Sequence, residues 1–85
     1  MDSAAPVAVV TGAGSGIGAA VARRLGRDGY RVVAVGRRVE PLEALAAACA
    51  GVVAMPADMA DSDAVGRLAA AVEHRFGRLD VLVNN

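Results

Sequence analysis

The sequence predicts an α/β chain: half of a doubly wound parallel sheet, ordered βαβαβαβ, with strand order 3-2-1-4. Three observations carry this reading. Four short apolar runs, Val7–Val10, Val32–Val35, Val52–Met55 and Val81–Val83, are mostly β-branched and continuous. Continuous runs suit strands buried on both faces. Stretches with helical spacing separate them, and glycine takes every second position from 12 to 18 directly after the first run.

The elements follow in order. After the first strand and its glycine turn, Ile17, Val21 and Leu25 line one face of a first helix, with Arg23, Arg24 and Arg27 pointing elsewhere. Leu42, Leu45, Ala46 and Cys49 line a second helix, and Pro41 falls in its first turn, where a missing N–H costs little. Val65, Leu68, Ala69, Val72 and Phe76 line a third, which Asp61 or Ser62 can cap. Gly29, Gly51 and Gly77 follow the three periodic stretches at the place of C′ glycines. Asp63 and Arg67 are spaced as an i, i+4 surface pair, His74 falls on the solvent side of the third helix, and Asp80 opens the fourth strand as a structural residue.

Size and charge exclude several functions. Eighty-five residues make one domain or part of one, with a thin core. The hydrophobic share is 55%, much of it alanine and valine, which suits helices packed closely on a sheet. Nine basic and nine acidic residues cancel, so no long-range field draws in nucleic acid or an anionic membrane. All nine basic residues are arginine; the chain has no lysine. The single cysteine, Cys49, excludes an internal disulfide and a cysteine-based metal cluster, and no metal site is expected. Met1-Asp2-Ser3 supplies no basic leader region, and the apolar run from Ala4 to Val10 is too short to cross a bilayer. The expectation is a soluble, cytoplasmic protein.

The glycine turn is the chemical centre. Strand, glycine loop and helix start are the layout that lets backbone N–H groups and a helix N-terminus face an anion with no Cβ in the way. The expected anion is the pyrophosphate of a dinucleotide. Two frames fit: the generic Gly14-x-Gly16-x-x-Ala19, weak alone, and the more particular Thr11-Gly12-x-x-x-Gly16-x-Gly18. A P-loop is excluded, because it needs a lysine. The second strand ends Val35-Gly36-Arg37-Arg38, and no acid lies between Gly29 and Val39. NAD sites of this build place a carboxylate there for the ribose 2′-OH. A guanidinium instead grips a 2′-phosphate through two hydrogen bonds. NADP(H) is therefore expected over NAD(H), with Arg37 the main contact and Arg38 its helper. The bland alternatives are a ligand-free turn and a solvated arginine pair.

With these motifs in view, the chain resembles the N-terminal part of a short-chain dehydrogenase/reductase. The resemblance runs from Val7 to Asn85. It rests on Thr11-Gly12-x-x-x-Gly16-x-Gly18, on Asp58 after the third strand, and on Gly77-Arg78-Leu79-Asp80-Val81-Leu82-Val83-Asn84-Asn85, which resembles the family's Asn-Asn-Ala-Gly motif up to its second asparagine. It implies a partial NAD(P)-binding Rossmann domain over residues 1–85, cut after the fourth strand. It also implies that Gly12, Gly16 and Gly18 form the pyrophosphate turn, and that Ser15 and Ile17 touch the cofactor through hydroxyl or main chain. Asp58 would accept a hydrogen bond from the adenine amino group, and the Met59 backbone would lie against the ring. Met59 stands where the family often has a branched residue. Asn84 and Asn85 would hold the fourth strand against the glycine loop and border the cofactor, with Thr11 joining through its hydroxyl. Asp58 could instead simply start a turn, and the asparagines end a strand.

The family's catalytic serine, tyrosine and lysine have no counterpart here. Tyr30 is the only tyrosine, Ala34 stands four residues on, and both fall at the wrong end of the sheet. The resemblance thus implies a parent oxidoreductase, commonly a homo-oligomer, that interconverts a small carbonyl compound and an alcohol. This segment would bind cofactor without catalysing. A non-catalytic dinucleotide-binding module and an inactive truncated product are the alternatives; the codons after Asn85 distinguish them.

Overall fold

The computed structural model describes residues 4–85. Met1-Asp2-Ser3, read above for the absence of a leader, lies outside the described residues. The elements are β1 (Val7–Thr11), α1 (Gly16–Arg27), β2 (Arg31–Val35), α2 (Val39–Ala48), β3 (Val52–Ala54), α3 (Ser62–Phe76) and β4 (Val81–Val83). All pairings are parallel and the order is β3-β2-β1-β4. In register, Val9 stands beside Val33 and Leu82, and Val33 beside Val53.

The two faces of the sheet explain the continuous apolar runs. Val10, Val32, Ala34 and Val52 pack with Ala22, Leu42 and Leu45 of α1 and α2. Val9, Val33 and Val35 pack with Leu68 and Val72 of α3. Successive strand residues point to opposite faces, so both neighbours in each run must be apolar. Every residue of β1 is buried, including Thr11. No helix of the described residues is long and apolar enough to cross a membrane.

The caps are specific. At α3 the Asp61 side chain, not Ser62, accepts hydrogen bonds from the Asp63 and Ala64 amides at 3.0 and 3.5 Å. Gly29 and Gly77 adopt positive φ at the ends of α1 and α3. Gly51 also has positive φ, but it lies two residues beyond the α2 C-cap Cys49, one later than the C′ place expected for it.

Three packing expectations need correction. The spacing puts Ile17 on the apolar stripe of α1, yet it is 75% exposed. Val21 and Leu25 do pack against the core, half-buried, while the buried contacts of the helix are Gly18, Ala19 and Ala22, whose small size allows the closest approach. On α3, Ala69 is exposed and the buried line is Ala64, Leu68 and Val72. Asp63 and Arg67 form no ion pair among the described residues; the i, i+4 pair that forms is Arg24–Asp28.

At the amino end of the sheet, Asp80 clamps β4 to β1. Its Oδ2 accepts from the Val7 amide at 2.8 Å, while its own amide donates to the Val7 carbonyl at 2.9 Å. Arg78 donates to both carboxylate oxygens at 2.8 Å. The Arg78 hydrogen bond, and after it the Val7 amide, holds the Asp80 carboxyl below its ordinary value.

Candidate dinucleotide site

The site sits at the carboxyl ends of β1, β2 and β3, where ligands bind on open α/β sheets. The chain turns there from strand into helix, and the glycines of the turn serve different ends. Gly12 has φ 63°, and a Cβ on it would come within 2.9 Å of the Asn85 Nδ2. Gly16 has φ 60° with open space around it. Gly18 has ordinary φ, but a Cβ there would strike the carbonyl of Gly12. Gly14 is under neither demand: its nearest neighbour would be the Pro41 Cβ, at 3.7 Å. Sterics therefore select the frame Gly12-x-x-x-Gly16-x-Gly18 over the generic one that starts at Gly14.

The N-terminus of α1 is left open. Ser15 takes the N-cap position with extended backbone, but its side chain makes no capping bond, and no acid stands in the first turn. Ser15, Gly16 and Ile17 are all exposed. The exposure of Ile17, anomalous for a core residue, puts it beside the open amides of this helix end. The partial positive charge of the helix terminus is therefore free for an anion.

Long-range hydrogen bonds fix the rim. The Ala13 amide donates to the Val35 carbonyl at 3.0 Å, and the Ala57 amide to the Gly36 carbonyl at 2.9 Å. Thr11, 3% exposed, is the hub between β1 and the end of β4. Its Oγ1 accepts from the Asn85 amide at 3.1 Å and donates toward the Asn84 Oδ1 at 3.2 Å or the Val83 carbonyl at 3.4 Å. The Asn85 Nδ2 donates to the Gly12 carbonyl at 3.4 Å. The end of β4 is thus tied to the glycine turn across more than seventy residues of sequence.

Two adjoining clefts open on this rim. One, about 240 Å³, is lined by Thr11, Gly12, Gly36, Arg37, Asp58, Met59, Asn84 and Asn85, with Ala57 and Ala60. The other, about 430 Å³, is lined by Gly12, Gly14, Ser15, Gly36, Arg37 and Arg38. Arg37 borders both. Neither Arg37 nor Arg38 has a hydrogen-bond or ion-pair partner among the described residues. The Asp58 carboxylate accepts from the Ala60 amide at 2.9 Å, so it does start a turn, and its Oδ1 is oriented by that bond. Ala57 and Ala60 also line the cleft, and nothing in the sequence singles them out beyond their nearness to Asp58. Tyr30 precedes β2 and packs on the α1/α2 side of the core, at the end of the sheet remote from the clefts.

The residues present fit a dinucleotide on three counts. The Gly12–Gly18 contact leaves a cradle that a Cβ would fill, the helix end is uncommitted, and two guanidiniums at the tip of β2 have no partner among the described residues. A separate apolar groove of about 300 Å³ runs between α3 and β4, lined by Met59, Val65, Leu68, Val72, Leu79 and Leu82 among others. Leu79 and Leu82 are 51% and 59% exposed.

Comparison with known proteins agrees with this geometry. The family model described as short chain dehydrogenase matches residues 6–85. A relative from the granaticin polyketide synthase of Streptomyces violaceoruber, named as a ketoacyl reductase, is 53% identical over 83 residues, which cover 95% of this chain and 33% of the relative. A metagenomic short-chain oxidoreductase solved in complex with NADP superposes with TM-score 0.88 at 47% identity, covering 99% of this chain and 40% of that one. The 3-ketoacyl-(acyl-carrier-protein) reductase of Brucella melitensis, solved with NADH, superposes with TM-score 0.86 at 35% identity, covering 91% of this chain and 32% of that one. The chain spans about one third of the length of the curated relatives it matches.

Proposed function

The chain belongs to the short-chain dehydrogenase family, and from that premise we propose that it is the dinucleotide-binding part of an NADP(H)-dependent oxidoreductase that interconverts a carbonyl compound and an alcohol. Its relatives are oxidoreductases, and its solved neighbours include complexes with NADP and with NADH. The observation that carries the preference for NADP(H) lies at the tip of β2. Gly36 offers no carboxylate to repel a 2′-phosphate, and Arg37 and Arg38 stand beside it with guanidiniums that have no partner among the described residues.

The roles then follow from position. The Gly12, Gly16 and Gly18 turn and the amides at Ser15 and Ile17 receive the pyrophosphate. Arg37, helped by Arg38, grips the 2′-phosphate. Asp58 and the Met59 backbone border the adenine, and Asn84 and Asn85 border the ligand where β4 ends. When bound, the cofactor supplies or accepts the hydride. These residues bind and orient it; none stands ready to move a proton to a substrate. Residues 1–85 are on this reading the first part of a domain, and the longer protein adds a serine, a tyrosine and a lysine, acts on a small ketone or aldehyde, assembles as a homo-oligomer and works in the cytoplasm.

The test is a double substitution, Gly36→Asp with Arg37→Ile. A Cβ at position 36 would lie 3.5 Å from the Leu42 Cδ2, an ordinary contact, and circular dichroism of the variant checks that the fold is kept. The ratio of NADPH to NADH affinity, measured by calorimetry, should fall at least tenfold. An unchanged ratio overturns the assignment of the 2′-phosphate to Arg37.

A further inference from the structure

Another cleft lies far from the glycine turn. Helix α1 begins at the carboxyl end of β1 and closes near the start of β2, so its last turn stands at the opposite end of the sheet. There it meets the end of α2. A cleft of about 450 Å³ opens between them, lined by Arg23, Gly26, Arg27, Ala48, Cys49 and Ala50. That is the size of a small-molecule site. Close packing holds its floor: a Cβ on Gly26 would come within 3.3 Å of the Ala50 carbonyl and of the Val52 Cγ2.

The two guanidiniums of the cleft are surplus to the fold. Neither Arg23 nor Arg27 has a hydrogen-bond or ion-pair partner among the described residues, whereas Arg24 between them is matched by Asp28. Arginines near a helix end commonly serve its open carbonyls, yet here backbone amides already take them. The Asp28 amide donates to the Arg24 and Leu25 carbonyls, the Gly29 amide to that of Gly26, and the Tyr30 amide to that of Leu25. The helix dipole favours Arg24 and Arg27 in the last turn, but not Arg23, which lies before it. Spaced i, i+4, Arg23 and Arg27 put like charges on one helix face, a mildly destabilising arrangement. Among the described residues no acidic side chain lines the cleft, and the acids of α2, Glu40 and Glu43, lie in its first half.

We propose that this cleft binds a small organic dianion with an apolar body, a dicarboxylate. Each guanidinium offers a flat fork to one carboxylate. The rest of the lining, Gly26, Ala48, Cys49 and Ala50, is small and gives the body of the ligand a surface to lie on. It presents no side-chain hydroxyl or amide to hold a sugar. The site shares no lining residue with the two dinucleotide clefts.

Cys49, the single cysteine, is half-buried in the cleft and serves as the reporter, not as the binding group. Dithiobis(nitrobenzoate) is an aromatic disulfide with a carboxylate on each ring; dithiodipyridine is an uncharged one. With either, the Cys49 sulfur gives its proton to water and attacks one sulfur of the reagent; the S–S bond breaks and a coloured thiol anion or thione leaves. On the 85-residue chain, with folding checked by circular dichroism, the anionic reagent should be preferred about tenfold more than it is by mercaptoethanol. Salt at about 1 M, which shortens screening to about 3 Å, should remove that preference. Arg23→Gln with Arg27→Gln should remove it too; the salt measurement needs no variant. Millimolar naphthalene dicarboxylate should slow the uncharged reagent about threefold in the parent and leave the double variant unchanged. The inference is overturned by a preference no greater than that of mercaptoethanol, or by one that survives salt or the double substitution. Absence of protection by the dicarboxylate, or failure of both reagents to reach Cys49, overturns it equally.

Discussion

Alanine substitution of Gly18 and Gly14 separates the two glycine frames. In the first turn of α1, replacing glycine by alanine should gain about 0.5–1 kcal/mol from helix propensity. Against this stands the Gly12 carbonyl, which a Cβ on Gly18 would strike, with the Asn85 Nδ2 2.9 Å away on another side. The obstacle is backbone, and Asn85 holds that carbonyl by a hydrogen bond, so it cannot swing aside freely. Overpacking of this kind costs about 1–3 kcal/mol. The cost wins, leaving Gly18→Ala destabilised by about 1–2 kcal/mol, or a Tm lowered by roughly 5–15 °C for a domain of this size. Binding suffers more: misdirecting even one amide from a phosphate loses about 1.5–3 kcal/mol, ten- to hundredfold in affinity. Gly14→Ala meets nothing closer than 3.7 Å and needs no positive φ. It should be neutral or stabilise by about 0.4–1 kcal/mol through the unfolded state. Thermal melts followed by circular dichroism and NADPH titration give both readouts. Equal behaviour of the two variants would refute the steric argument.

Three further outcomes follow from the structure. Thr11→Val keeps the shape but removes the acceptor for the Asn85 amide and the donor toward β4; urea unfolding should show a loss of about 1–2 kcal/mol, while Thr11→Ser stays near the parent. Asp80 has its folded-state pKa lowered, so its stabilising contribution is complete above its ordinary value of 3.8 and is lost as pH falls below that value through the depressed folded one. Asp80→Asn should therefore lower the urea midpoint at pH 6, and the gap to the parent should shrink as pH drops below 3.8; a gap independent of pH would contradict the clamp. Leu42→Ala, at a fully buried site, should cost about 2–5 kcal/mol, whereas Leu82→Ala, at a site 59% exposed, should cost less than about 1 kcal/mol; the ranking is read from urea midpoints.

The strands were legible because a strand buried on both faces must be apolar at each step, and Val7–Val10 and Val32–Val35 are. Helix faces were less legible. Ile17 fits the period of α1 but lies in its first turn, on the rim of the site rather than under it. Val65 and Ala69 fit the period of α3 but border the open groove, since the helix turns Ala64 and Leu68 toward the sheet. The glycine turn was visible as a pattern. Which glycines are obligatory was not, because the reason for Gly18 is a carbonyl six residues away brought back by the turn. The clamp of Asp80 on Val7 joins residues 73 apart, a pairing that no local pattern encodes.

The unpaired flank of β4, with Leu79 and Leu82 beside it, has a consequence for biosynthesis. Where these residues head a polypeptide three times as long, they leave the ribosome first. Later residues follow at roughly 5–20 per second, so this border is bare for the seconds it takes a covering segment to emerge. An apolar strand margin waiting that long is a natural perch for a holdase chaperone. Ribosome-bound chains stalled just after Asn85 has emerged should therefore recruit one, and Leu82→Arg should release it.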